Sequence, residues 1–158
     1  MKSGLVLILP NIRSCHNVGA MFRTADACGF DKLYPVGYTP VPPRKEIDKV
    51  ALGAEKSVAW EHKQSLTRLI TMLRIKGYTI VSLEKTGNST DLGLLTKKSL
   101  GSKIALIVGN EVDGIEQKII QKSDFTVHIP MRGMKESLNV SIAAGIAMYH
   151  IGQLAHGG

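Results

Sequence analysis

Five stretches of strand length carry almost unbroken runs of aliphatic residues: LVLILP at 5–10, KLYPVG at 32–37, YTIVSLE at 78–84, KIALIVGN at 103–110 and FTVHIP at 125–130. A strand with one wet face alternates apolar and polar positions, whereas runs this continuous suit strands buried on both faces of a parallel sheet. Helical spacing fills the gaps. From Asn17 to Cys28 the residues Val18, Met21, Phe22, Ala25 and Cys28 recur at i, i+3, i+4, i+7 and i+10, and Gly29 follows where a helix cap is wanted. Leu66, Leu69, Ile70 and Leu73 stripe a second helix from about Ser65 to Lys76, closed by Gly77. A third runs from near Ser137 to about Leu154 and is apolar almost all round, with Ala143, Ala144, Gly145 and Ala147 at its centre. Such a helix wants two buried faces, and its small residues suit close packing on a second helix, in this chain or in another subunit. The alternation predicts one α/β domain over 1–158, with a mostly parallel sheet and helices on both faces.

Two segments interrupt the pattern. YTPVPPRKEIDKVALGAEKS at 38–57 holds three prolines and mixed charge and reads as a long functional loop, and 85–100 reads as a shorter one. The 158 residues are 44% apolar, 21% charged and 5% aromatic, material for one core. Twenty Lys and Arg against thirteen Asp and Glu leave +7 at pH 7, without the run of like charge that marks a disordered tail. A basic face, and a polyanion to meet it, follow from that balance. Cys15 and Cys28 are too few for a disulfide framework, and two thiolates alone do not close a zinc site, so no metal is expected. No stretch reaches the roughly 18 apolar residues of a membrane span. The first apolar run ends at Pro10 rather than at a small-residue cleavage site, so a cytoplasmic protein is expected.

Ligands of open α/β sheets gather beyond the carboxyl ends of the strands. Three polar clusters lie there: NIRSCHNVGAMFRTADACGF after the first run, GNEVDGI after the fourth and MRGMKESLNVSIAAG after the fifth. Neither G-x-x-x-x-G-K-[ST] nor a G-x-G-x-x-G after the first strand is present, which removes P-loop and dinucleotide readings. Nor is there a G-x-S-x-G elbow or an H-E-x-x-H helix, and Ser141 and His150, nine residues apart on one helix, do not set a nucleophile beside a base.

NVGAMFRTADACGF, VGNEVDGI and IPMRGMKESLNVSIAAGIAMY, in that order and spacing, resemble the three motifs of the SpoU/TrmH-like branch of the SPOUT RNA methyltransferases. The third, with S-L-N-V-S soon after I-P-M, is the most specific, and the resemblance spans the whole chain. It implies a C-terminal trefoil knot, against the general rule of unthreaded chains. It further implies S-adenosylmethionine held in that knot, a homodimer, and methylation of a ribose 2′-hydroxyl in tRNA or rRNA. Many members carry an additional N-terminal RNA-binding domain; with the first strand at Leu5 none is expected here, which leaves RNA contact to the catalytic dimer.

By the same resemblance Arg23 handles the 2′-hydroxyl proton, and Asn17, Glu111, Ser137 and Asn139 complete the catalytic set. Read from the residues alone, Arg23 is a solvated arginine whose side is kept open by Ala20 and Ala27, Asn17 a helix N-cap, and S-L-N a good helix start. A guanidinium makes a poor base, since moving a pKa from about 13 to 7 costs on the order of 8 kcal/mol. Arg23 therefore suits binding phosphate and hydroxyl and stabilising a developing alkoxide. Glu111 suits holding the loop or Arg23 by a charge-assisted hydrogen bond. The resemblance places the methyl donor against backbone near Leu83, Gly109, Asn110, Ile129 and Leu138, with Pro130 and Met131 shaping the bend. Arg13, Arg44, Lys45, Lys49, Arg132 and Lys135, in predicted loops near strand ends, are candidate RNA contacts, with His16 beside Arg13. With so few aromatics, phosphate and shape contacts outweigh base stacking. Two alternatives stay open: an RNA-binding protein on this scaffold with little catalysis, and a base methyltransferase. Among substrates tRNA is preferred to rRNA.

Overall fold

The computed structural model describes residues 2–157. The five aliphatic runs form β1 (Leu5–Pro10), β2 (Lys32–Val36), β4 (Thr79–Leu83), β6 (Ile104–Ile107) and β7 (Phe125–His128), and two-residue strands β3 (Ala59–Trp60) and β5 (Thr90–Asp91) extend the two edges. The sheet order is β3-β2-β1-β6-β4-β7-β5, and every pairing is parallel. Ile8 of β1 registers with Tyr34 on one side and Ile107 on the other.

Successive strand residues point to opposite faces, so β1 supplies two cores at once. Leu5, Leu7 and Leu9 join a cluster with α1 (Cys15–Cys28) and α7 (Val140–His156), while Val6 and Ile8 join one with α4 (Leu66–Ile75) and α6 (Gln117–Lys122). Complete burial of β1 is the reason its sequence shows no alternation.

The helices differ from expectation mainly at their starts. Ser14 caps α1, its hydroxyl accepting from the Asn17 N–H, so Asn17 sits inside the first turn and is not the cap; His16 lies in that turn too, not in a loop. Gly29, at φ 76°, ends the helix as the pattern predicts, its N–H donating to Ala25 and Asp26 carbonyls. The segment 38–57 is not one loop: it folds into α2 (Lys45–Ala51) and α3 (Ala54–Ser57), which places Lys45 and Lys49 on a helix. These elements are too short to print a period. They exist because Ile47 and Ala51 bury against α1, whose Gly19 admits the chain so closely that a Cβ there would lie 2.7 Å from the Ile47 carbonyl oxygen. Segment 85–100 likewise holds β5, a 3₁₀ turn at Leu92–Leu94 and α5 (Lys97–Leu100).

Asn139, not Ser137, caps α7, which begins at Val140. The helix then runs alongside α1 in the same direction, with Asn139 next to Asn17, Gly145 against Thr24 and Gly152 against Cys28. Its small residues therefore meet a helix of the same chain. Ala144, Ala147, Met148 and Ile151 are buried, whereas Ile142, Ile146 and Tyr149 form an exposed apolar side. Among the described residues no helix is long and apolar enough to cross a membrane.

Replacing Gly19 by Ala forces α2 off α1. A stability loss of about 1–3 kcal/mol is expected, read as a melting temperature lowered by roughly 2–4 °C per kcal/mol.

Candidate active site

The carboxyl ends of β4, β6 and β7 open into a cavity of about 510 Å³, within the size range of small-molecule sites. Leu83, Val108, Ile129, Leu138 and Ala143 supply apolar wall, and Glu84, Glu111 and Glu136 bring carboxyl groups to it. Gly109 and Gly114 are required by space: a Cβ on Gly109 would lie 2.8 Å from Gly114 Cα, and one on Gly114, already at φ 69°, would lie 2.7 Å from Glu84 Oε1.

The loop after β6 is tied down at both ends. Asn110 Oδ1 accepts from the Val112 and Asp113 N–H groups at 2.8 and 3.0 Å, and its amide nitrogen donates to the Asn11 carbonyl and the Tyr38 hydroxyl. Glu84 Oε1 accepts from the Ile115 N–H at 3.0 Å. Burial pushes the Glu84 carboxyl above the ordinary carboxylate range, opposed by that hydrogen bond.

Glu111 reaches across to the β1–α1 loop. Its carboxylate accepts from the Arg13 N–H at 2.9 Å, the Ser14 N–H at 3.0 Å and the Asn17 side-chain amide at 3.0 Å. Burial alone would raise its pKa, but these donors together outweigh it and hold the carboxyl below its usual value. An ionised carboxylate only accepts, so Asn17 must turn its NH₂ to Glu111 and its oxygen away. That oxygen accepts from the Asn139 amide at 3.3 Å, and Asn139 Oδ1 in turn accepts from the Ser141 N–H and hydroxyl at 2.9 and 2.6 Å. One carboxylate thus orients two amides and the start of α7.

Of the residues expected to be catalytic, Glu111, Ser137 and Asn139 line the cavity, and Asn17 stands behind them in the network. Arg23 does not line it. It is six residues beyond Asn17, about 9 Å along the helix axis, solvent-exposed and without an ion-pair partner among the described residues. Glu111 therefore holds the loop and not Arg23. Of the residues expected at the donor, Leu83, Gly109, Asn110, Ile129, Met131 and Leu138 line the cavity and Pro130 does not. Arg13, Arg44, Lys45, Lys49, Arg132 and Lys135 are all exposed around this end of the sheet but outside the cavity wall. The Tyr38 hydroxyl, as hydrogen-bond partner, holds the Arg13 guanidinium still more firmly protonated.

The family model of the SpoU rRNA methylases matches residues 4–149. The chain belongs to the SpoU methylase family. It is 35% identical over 152 residues to the 23S rRNA (guanosine-2′-O-)-methyltransferase RlmB of Coxiella burnetii, a match covering 93% of this chain and 57% of that protein. The TrmH/SpoU tRNA modifying enzyme of A. aeolicus superposes with a TM-score of 0.85 at 28% identity, over 97% of this chain and 76% of that one. The SpoU methyltransferase AviRb of Streptomyces viridochromogenes, solved with AdoMet, shares the fold with a TM-score of 0.87 at 23% identity, over 100% of this chain and 63% of that one. The chain spans 57–62% of the length of the curated relatives it matches.

Within this SpoU domain Glu84 is a site residue outside the expected set. Its only signal was a carboxylate placed directly after a buried strand, in SLEK, which looks like any strand end until the loop from β6 is seen to close over it.

A sign follows for pH. The lowered pKa of Glu111 stabilises the fold above its unfolded value of about 4.3, and this stabilisation is lost as pH falls through the folded value. Glu84, raised by burial, acts in the opposite sense, and its cost fades on acidification. Glu111→Gln is expected to lower stability by on the order of 1–2 kcal/mol at pH 7 and to converge on the wild type only once pH has fallen below the lowered folded value of Glu111, as measured by urea unfolding along an acid pH series.

Proposed function

We propose that this SpoU domain transfers a methyl group from S-adenosylmethionine to a ribose 2′-hydroxyl of RNA. The observation that carries the reading is the network from Glu111 through Asn17 to Asn139 at the mouth of the 510 Å³ cavity. It brings residues from three separate motifs, 94 and 122 positions apart, to one point. The residues fit the donor: the apolar wall suits an adenosine, the Gly109 and Gly114 pair lets the loop after β6 close on Glu84 as one side of the cavity, and carboxyl groups at the rim suit a molecule carrying cationic sulfur and an ammonium. When bound, the donor supplies a methyl group on positively charged sulfur, open to in-line displacement.

The chain's task is then positioning. Leu83, Ile129 and Leu138 would enclose the base and exclude water, with Gly109 and Asn110 beside them in the cavity wall. Ser137, exposed at the rim, and Asn139 contact the sugar that receives the methyl group in this proposal, supported by their position in the cavity wall. Arg23 binds an RNA phosphate and stabilises negative charge as it develops on the 2′-oxygen. Aligning oxygen and methyl carbon supplies much of the rate, because the electrophile is already activated. The named activities of the Coxiella burnetii and A. aeolicus relatives, one on 23S rRNA and one on tRNA, support RNA as substrate and leave its class open; tRNA remains our preference.

The working unit is a homodimer, and a trefoil knot forms the donor cradle. Supporting the dimer, Ile142, Ile146 and Tyr149 are 55%, 42% and 62% exposed along one side of α7, apolar surface that a second copy would cover. Supporting the knot, β6 lies between β1 and β4 and β7 lies beyond β4, so that late segments of the chain wall the cavity together.

Arg23→Ala is expected to lower transfer to RNA by about 10²–10³-fold while calorimetric uptake of S-adenosylmethionine stays within twofold; equal loss of both in a folded variant removes Arg23 from this role. A wild-type chain that takes up no S-adenosylmethionine overturns the reading. Ile146→Glu is expected to convert the dimer to monomer in light scattering.

A further inference from the structure

Because every strand is parallel, the sheet has two chemically different poles, and the cavity accounts for only one. At the other, the starts of four adjacent strands each bring cations. Lys2 precedes β1; Lys97, Lys98 and Lys103 precede β6; Arg74 and Lys76 precede β4; and Lys122 precedes β7. At a strand spacing of about 4.8 Å, the row is roughly 15 Å long.

The segments carrying these cations are fixed to each other. Lys103 Nζ donates to the Lys76 carbonyl at 3.0 Å, Thr79 Oγ1 donates to the Leu100 carbonyl at 2.6 Å and so anchors α5, and Arg74 donates to the Lys122 carbonyl. The acidic side chains built into these strand starts are already engaged. Asp31 accepts from the Ser3 and Gly4 N–H groups, and Asp124 accepts from Arg74 and the Ile80 N–H. The cations outnumber these two carboxylates, so the row keeps a positive excess. Toward its β7 end lies a hollow of about 450 Å³ lined by Arg74, Tyr78, Thr79, Ser99 and the Asp124 carboxylate that pairs with Arg74, and beside it Lys103 Nζ lies 5.7 Å from the centre of the half-buried Tyr78 ring. Ordered cations around hydroxyl groups and one aromatic edge suit phosphate and sugar oxygens.

We infer that this pole is a second RNA-binding surface, gripping the phosphate backbone of the substrate at a distance from the nucleotide in the cavity. The inference rests on the methyl-transfer reading for its choice of polyanion. The poles are separated by strands of four to six residues, about 13–20 Å. An RNA bound at both must fold around the edge of the domain, so the surface selects a structured RNA over a short single strand.

The test uses the triple variant Lys76→Gln/Lys97→Gln/Lys98→Gln, which replaces three lysines whose ammonium groups make no hydrogen bond among the described residues. Binding of unfractionated tRNA and of 23S rRNA is measured between 50 and 200 mM salt, with S-adenosylmethionine uptake followed by calorimetry. Each cation lost from a phosphate contact flattens the plot of log affinity against log salt by about 0.7–0.9, so a slope reduced by about 2–3 is expected, with donor uptake unchanged. Should the triple variant fold poorly, Lys97→Gln/Lys98→Gln is expected to lose about 1.4–1.8 of slope. A wild type that binds RNA and a folded variant of identical slope and affinity overturn the surface while leaving methyl transfer intact. A wild type that binds neither RNA overturns both.

Discussion

The ionised carboxylate of Glu111 governs the order of the whole active end. Three donors from the β1–α1 loop and the first turn of α1 converge on it, and because it can only accept, the polarity of everything linked to it is decided in turn. Asn17 offers its NH₂ inward, Asn139 offers its NH₂ to Asn17, and the oxygen left on Asn139 meets the free N–H groups that open α7. A protonated or amide side chain at position 111 could accept and donate with equal ease, and the amides beyond it would lose their reason to point one way. Among the described residues the network joins side chains of all three sequence motifs by hydrogen bonds.

A second carboxylate complements the first. Glu84 closes the far end of the same loop under burial that raises its pKa, while Glu111 holds the near end under hydrogen bonding that lowers its own. The 110–114 turn is therefore stretched between two carboxyl groups with opposite responses to pH. Gly109 and Gly114 are consequences of this closure, since the backbone passes too near the Glu84 oxygens for any side chain. The cavity owes its shape to that closure as much as to its apolar wall.

The two poles of the sheet divide the work. Parallel strands put all carboxyl ends together, where loops carry the network and cavity, and all amino ends together, where cations outnumber the carboxylates that hold the strand starts. A net charge of +7 states only that cations are in excess. Their arrangement in a row across four adjacent strands comes from the sheet order, which interleaves elements remote in the chain.

Much of the architecture was legible because burial writes itself into continuous aliphatic runs and into helical stripes ended by glycine. The five long strands, α1, α4 and most of α7 were read with boundaries shifted by at most a few residues. Elements without room for a period, α2, α3, α5, α6, β3 and β5, were not, since each is stabilised by contact with a neighbour such as Gly19 on α1 and not by its own pattern. Most expected site residues, from Leu83 to Asn139, converge on one cavity, because residues after parallel strands must share one end of the sheet. The sequence by itself determined the α/β class, the helices and strands long enough to repeat, and the residue types available for chemistry. Only the tertiary structure decided that Asn17 is a link in a network and not a cap, that Glu84 closes the cavity, and that Arg23 lies outside it. The network and the closure join positions 31 to 122 residues apart, which periodicity along a chain does not encode.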